Sequence, residues 1–171
     1  MFGTSPIELL ACDAMLRGEV FCNSFYYNAD FLTGTNQAIG ANGTPTQVVQ
    51  ITSEADFVCQ RIVATCWGSA AGTLLQDPDF TVNISIATGR PWFNAPLILR
   101  NVAGSFAAAE KPTNMTMPRL IPLSSSINVA LVNRTATAAN FLEIVFEGFN
   151  VYYQQNSDGS PVTRSQVFHA L

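Results

Sequence analysis

Residues 79–96 read DFTVNISIATGRPWFNAP, and the first half of that stretch decides the fold. Phe80, Val82, Ile84 and Ile86 alternate with Thr81, Asn83 and Ser85, the period of a strand with one buried and one wetted face. Further along, INVALVN sets Ile127, Val129 and Leu131 on one face. NFLEIVFEGFNVYY does the same with Leu142, Ile144 and Phe146, while Glu143 and Glu147 take the other. Upstream, QVVQITSEADF and FVCQRIVATCWG supply β-branched and aromatic residues that end at Gly68 and Gly72. Short strands between turn clusters predict an all-β chain folded as an antiparallel β-sandwich, with a jelly roll as the expected form. Alternation with wetted partners favours antiparallel over parallel pairing.

The second half of the stretch, ATGRPWFNAP, crowds an arginine, two aromatics and an asparagine around turn residues. Gly89 admits a positive φ, and Pro91 fixes the turn that follows. Arg90 could clamp a carboxylate or phosphate, and Trp92 with Phe93 could stack on a sugar or base. No second polar constellation accompanies them, so the loop reads as a corner whose aromatics anchor it to a core or a subunit contact.

At the other end, SPIELLACDAMLRGEV (5–20) opens like a helix: Ser5 can cap, Pro6 fits the first helical position, and Glu8 completes a capping box. Ile7, Leu10, Ala11, Ala14 and Met15 fall on one face, Leu9 and Leu16 widen it, and Gly18 is a natural stop. So short a helix needs a cover, supplied by its own domain or by a neighbour. As an arm it would offer Phe2, Ile7, Leu9, Leu10, Met15 and Leu16, each worth roughly 1.5–3 kcal/mol when fully buried. EVFCNSFYYNADF (19–31) is strand-prone but lacks clean alternation, and TGTNQAIGANGTPTQ (33–47) reads as a long loop. The expected organisation is an N-terminal helix or arm and loop over 1–47, a β-sandwich body over 48–155 and a tail over 156–171.

Composition points to assembly. Of 171 residues only 12% are charged, against roughly 25% in ordinary soluble domains. Such a chain is expected to have part of its outside covered by other chains. Net charge is −4 and Lys111 is the sole lysine, so no basic footprint for nucleic acid exists. No run of 18 apolar residues predicts a membrane span, and no basic-then-apolar leader is visible, which suggests cytoplasmic synthesis. Cys12, Cys22, Cys59 and Cys66 lack metal-site spacing and His169 is the single histidine; no metal or cofactor is expected, and the cysteines read as buried thiols.

Catalytic machinery is equally hard to find. There is no GxSxG elbow, and His169 lies two residues from the end of the sequence. Asp77 and Asp79, Glu54 and Asp56, and Glu143 and Glu147 are the candidate carboxylate pairs for glycoside hydrolysis. Each also has an ordinary role, as turn residues or as the wetted side of a strand, and no catalytic residue is assigned. Trp67, Trp92 and the Tyr152-Tyr153 pair are the candidate platforms for a glycan or receptor.

From Ile51 to Tyr153 the chain resembles the jelly-roll decoration (cement) proteins on capsids of tailed bacteriophages. The resemblance rests on the Gly-Arg-Pro turn followed by Asn-Ala-Pro in FTVNISIATGRPWFNAPLILRNVAGS, on PRLIPLSSSINVALVNRT with Pro118 and Pro122 at a strand entry, and on a last strand ending Gly148-Phe-x-x-Tyr. It implies a virion structural protein on the capsid surface that binds the major capsid protein, often as a homo-oligomer (dimer or trimer). Arg90, Asn94 and Pro96 carry over only as turn positions, and no catalytic residue transfers. The N-terminal region outside the resemblance would also suit a head–tail or tail component.

Overall fold

A computed structural model describes residues 5–31, 39, 42–67, 79–87, 89, 91–104, 115, 118–134, 141–156 and 158–168. Among these residues eight strands form two four-stranded sheets: β1 (Val20–Asp30), β2 (Thr46–Gln50), β3 (Asp56–Trp67), β4 (Phe80–Ile86), β5 (Leu97–Ile98), β6 (Arg119–Ile121), β7 (Ser126–Asn133) and β8 (Phe141–Tyr153). Their orders are β1-β8-β3-β6 and β2-β7-β4-β5. The antiparallel pairs β1·β8, β2·β7, β3·β6 and β4·β5 are the rungs of one long two-stranded ribbon. Rolled up so that its halves face each other, that ribbon is a jelly roll, as expected.

Alternation fixes which residues fill the middle. Phe57, Ile62, Ile144 and Phe146 of the first sheet meet Phe80, Ile84, Ile127 and Leu131 of the second, all essentially inaccessible to water. The short helix α2 (Leu99–Ala103) adds Leu99 and Ala103 to this core. In β3 the register shifts between Cys59 and Arg61, leaving Gln60 as the extra residue of a bulge. Opposite it Gly148 lets the strands close: a Cβ there would lie 1.9 Å from the carbonyl oxygen of Val58.

The ends of the chain build a second, smaller core on the outer face of the first sheet. In α1 (Pro6–Leu16) Ser5 Oγ accepts from the Glu8 N–H at 3.3 Å and the Glu8 carboxylate accepts from the Ser5 N–H at 2.8 Å, the predicted capping box. Ala11 and Ala14 lie flat on Val20, Val58 and Val151, with Ile7 and Leu10 packed beside them. The helix is therefore covered by its own domain. Met15, expected on the buried face, is exposed, because the face narrows to the two alanines that allow close approach. Val162, Val167 and Phe168 complete the cluster, the last two around the single turn α3 (Arg164–Val167).

Both expected boundaries move. The sandwich begins at Val20, not Val48, since β1 pairs with β8 along its whole length. Its alternation is blurred because both faces find cover: Val20 and Cys22 beneath α1, Tyr27 and Ala29 against the main core. Residues 156–171, read as a tail, contain α3 and three of the buried residues of the second core.

Candidate functional site

The carboxylate pairs do not assemble as reactive couples. Glu54 is exposed, whereas Asp56 is fully buried under α3. Arg164 grips Asp56 with two bonds, Nε to Oδ2 and Nη2 to Oδ1, each 2.5 Å. The Leu123 N–H donates to Oδ1 at 2.7 Å, and the Tyr153 hydroxyl donates to Oδ2. Burial, then the adjoining carboxylate, push the Tyr153 hydroxyl well above its ordinary pKa, and Asp56 raises that of Arg164. Both oxygens of Asp56 are engaged, so this cluster is a clamp for the C-terminal turn. A recess of about 470 Å³ lined by Leu120, Thr163, Arg164, Ser165 and Phe168 opens above it.

Glu143 and Glu147 do share the outer face of the first sheet, and each has a partner. Asn28 donates to Glu143 at 2.7 Å, and Arg61 pairs with Glu147. Asp79 is exposed; Asp77 and His169 lie outside the described residues. Beside the Arg61–Glu147 pair, Ser24, Tyr26, Gln60 and Gly148 help line a polar recess of about 190 Å³, with Tyr26 61% exposed. Gln60, thrown outward by the bulge, donates to Glu8 on α1. Among the described residues, no three Cys, His, Asp or Glu side chains gather as a metal site, and no helix is long and apolar enough to cross a membrane.

The corner after Ile86 closes as a turn: the Gly89 N–H donates to the Ile86 carbonyl at 2.8 Å, with Gly89 at φ 79. Trp92 is core. Its ring packs edge-on against Phe146, 5.9 Å between centroids, and Phe93 packs half-buried beside it. Neither Trp92 nor the half-buried Tyr152 and Tyr153 present an open platform; Phe2, Arg90 and the Trp67 side chain lie outside those described. Of the other N-terminal candidates, Ile7 and Leu10 are half-buried against their own sheet, while Leu9, Met15 and Leu16 face solvent.

The outer face of the second sheet was missed as a site by sequence reasoning. Pairing lays three rows across it: Ile98–Thr81–Val132, then Asn83–Ala130–Thr46, then Ser85–Asn128–Val48. No side chain in these rows carries a charge. Val48, Ile98 and Val132 stand exposed among short hydroxyl and amide groups. Among the described residues, the other six large exposed apolar side chains lie in α1 and β1: Leu9, Met15, Leu16, Phe21, Phe25 and Tyr26. The signal was present as the polar half of each alternating strand, which was read only as the wetted half.

None of the four cysteines is in a disulfide. Burial pushes the Cys22 thiol up to about 11 and the Cys59 thiol up to about 12. A maleimide at neutral pH is therefore expected to label Cys12 rapidly and Cys22 slowly, with Cys59 and Cys66 labelled only on unfolding. Rapid native labelling of Cys59, read by peptide mass, would contradict the packing. No family model matches the chain, and no curated protein matches it.

Proposed function

We propose that this chain is a non-enzymatic virion structural protein, a jelly-roll subunit that binds the outside of a phage capsid and stabilises or decorates it through subunit-bridging contacts. The partner is the major capsid protein, the protein acts as a homo-oligomer (dimer or trimer), and it joins the shell after synthesis in the host cytoplasm. The observation that carries this reading is the uncharged three-row patch on the outer face of the β2–β7–β4–β5 sheet, bounded at one end by the exposed Asp79 and Arg134. Covering it desolvates no ion and immobilises no long lysine or glutamate. Its mixture of exposed valines and isoleucine with short polar groups has the charge depletion of an interface core. Action is passive: binding the assembled shell in preference to free subunits stabilises the shell by mass action.

The centre of the face supplies the test. Ala130 is exposed, so charged replacements there should alter folding stability by no more than about 0.5 kcal/mol. Ala130→Glu and Ala130→Lys are both expected to weaken cosedimentation with empty phage heads at least about tenfold, since each forces a desolvated charge into the contact. Wild-type behaviour in both variants, or no cosedimentation of the wild type, refutes the reading. A glycan- or receptor-binding role is the second reading, favoured by the exposed Tyr26 ring beside the polar recess. Glycan binding by a protein that ignores heads selects it.

A further inference from the structure

We propose that the free edge of β1 is a homodimer interface, joining two copies through antiparallel β1–β1 pairing into one continuous eight-stranded sheet. The pairing geometry leaves this edge open. The Glu19 carbonyl accepts from the Gln154 N–H at 2.9 Å and the Phe31 N–H donates to the Leu142 carbonyl at 3.0 Å, in the same unbroken register that runs along β1·β8. Odd-numbered residues of β1 therefore bond to β8, and even-numbered ones turn their backbone groups away from it. Among the described residues, nothing pairs with the backbone of Val20, Cys22, Ser24, Tyr26 or Asn28 on that side.

The other sheet edges are short: five residues in β2, two in β5 and three in β6. The edge strand β1 has 11 residues, VFCNSFYYNAD. Exposed edges are ordinarily blunted by lysine, proline, a bulge or an inward charge. Val20 to Ala29 contains no charge and no proline, and its pairing with β8 has no register shift.

A second copy fits this edge across its full length. A two-fold axis at Phe25 sets Ser24 opposite Tyr26 of the other chain, Cys22 opposite Asn28, and Val20 opposite Asp30. Asp30, the one charge in the strand, thus meets an aliphatic residue and not its own copy. The four pairs between Cys22 and Asn28 alone add about eight main-chain hydrogen bonds. On the axis the two Phe25 rings meet, each already held by Tyr27 at 4.9 Å between centroids, and the exposed Phe21 lands beside Ala29. This names the surface behind the oligomer proposed above, and it is measured without any shell, so its failure is separate from failure of capsid binding.

Sedimentation equilibrium of the purified chain at micromolar concentration is expected to give twice 18.5 kDa. Ser24→Pro removes only an outward N–H, which an edge tolerates. It should weaken the dimer at least tenfold while leaving unchanged the urea midpoint measured at concentrations low enough for both proteins to be monomeric. In a Cys12→Ser, Cys22→Ser background, mild oxidation should link Phe25→Cys into a covalent dimer but not Asn23→Cys, whose opposite residue is Tyr27. A monomeric wild type, a Ser24→Pro dimer as tight as wild type, or equal crosslinking at both positions overturns the proposal. So does a wild-type monomer whose Ser24→Pro form loses only head binding, because the edge would then belong to the shell protein. Should Ser24→Pro fail to fold, the pair of cysteine variants decides alone.

Discussion

Replacing Gly148 with alanine is expected to lower stability by at least about 3 kcal/mol, or to prevent folding. The added Cβ would lie 1.9 Å from the Val58 oxygen and 2.9 Å from its carbonyl carbon. Both atoms belong to the backbone of the neighbouring strand, so no side-chain rotation relieves the overlap. β8 lies between β1 and β3, and the two strands must part at the bulge, which also disturbs the Arg61–Glu147 pair. Ordinary overpacking costs about 1–3 kcal/mol, and a clash with fixed main chain belongs at or above the top of that range. For a chain of this size, 3 kcal/mol is about 6–12 °C in Tm. Thermal and urea unfolding measure it, and a Gly148→Ala protein within about 2 °C of wild type would mean the strands do not close this way.

Arg164→Ala is expected to lower stability by about 2–3 kcal/mol. Removing one partner of a buried ion pair costs about 3–5 kcal/mol because the other charge is stranded. The lower figure applies here, since Arg164 is 40% exposed and Asp56 keeps the donors Leu123 N–H and Tyr153 O–H. Tyr153→Phe, which deletes one donor and leaves the guanidinium, should lose only about 1 kcal/mol. Because the clamp holds α3 over Val58 and Val151, Arg164→Ala should also expose Phe168 to chymotrypsin before the sandwich unfolds. Equal losses in the two variants would show that the ion pair does not dominate the docking.

The parts legible in sequence are those where burial falls on one face. β4, β7 and the first half of β8 alternate cleanly because, among the described residues, their outer sides meet no second layer, and the helix start is written locally in Ser5, Pro6 and Glu8. β1 was misread as part of an arm because α1 and the main core draw on both its sides. Asp56 looked like half of an acidic turn pair, yet its partner lies 108 residues away and local spacing carries no trace of it. Trp92 was readable as an anchor for the corner, but only the packed ring of Phe146 shows that the anchorage is internal.

The strand order has a consequence for how the molecule comes into being. β8 separates β1 from β3, so the first sheet lacks its middle until residues 141–153 have been made. At about 5–20 residues per second, β1 leaves the ribosome several seconds before the strand it must join. In that interval its bare aromatics are open to strangers, and loop closure across more than a hundred residues slows the union further. Refolding in milliseconds to seconds, the range of folds dominated by distant pairings, is the expected result of where β8 is inserted.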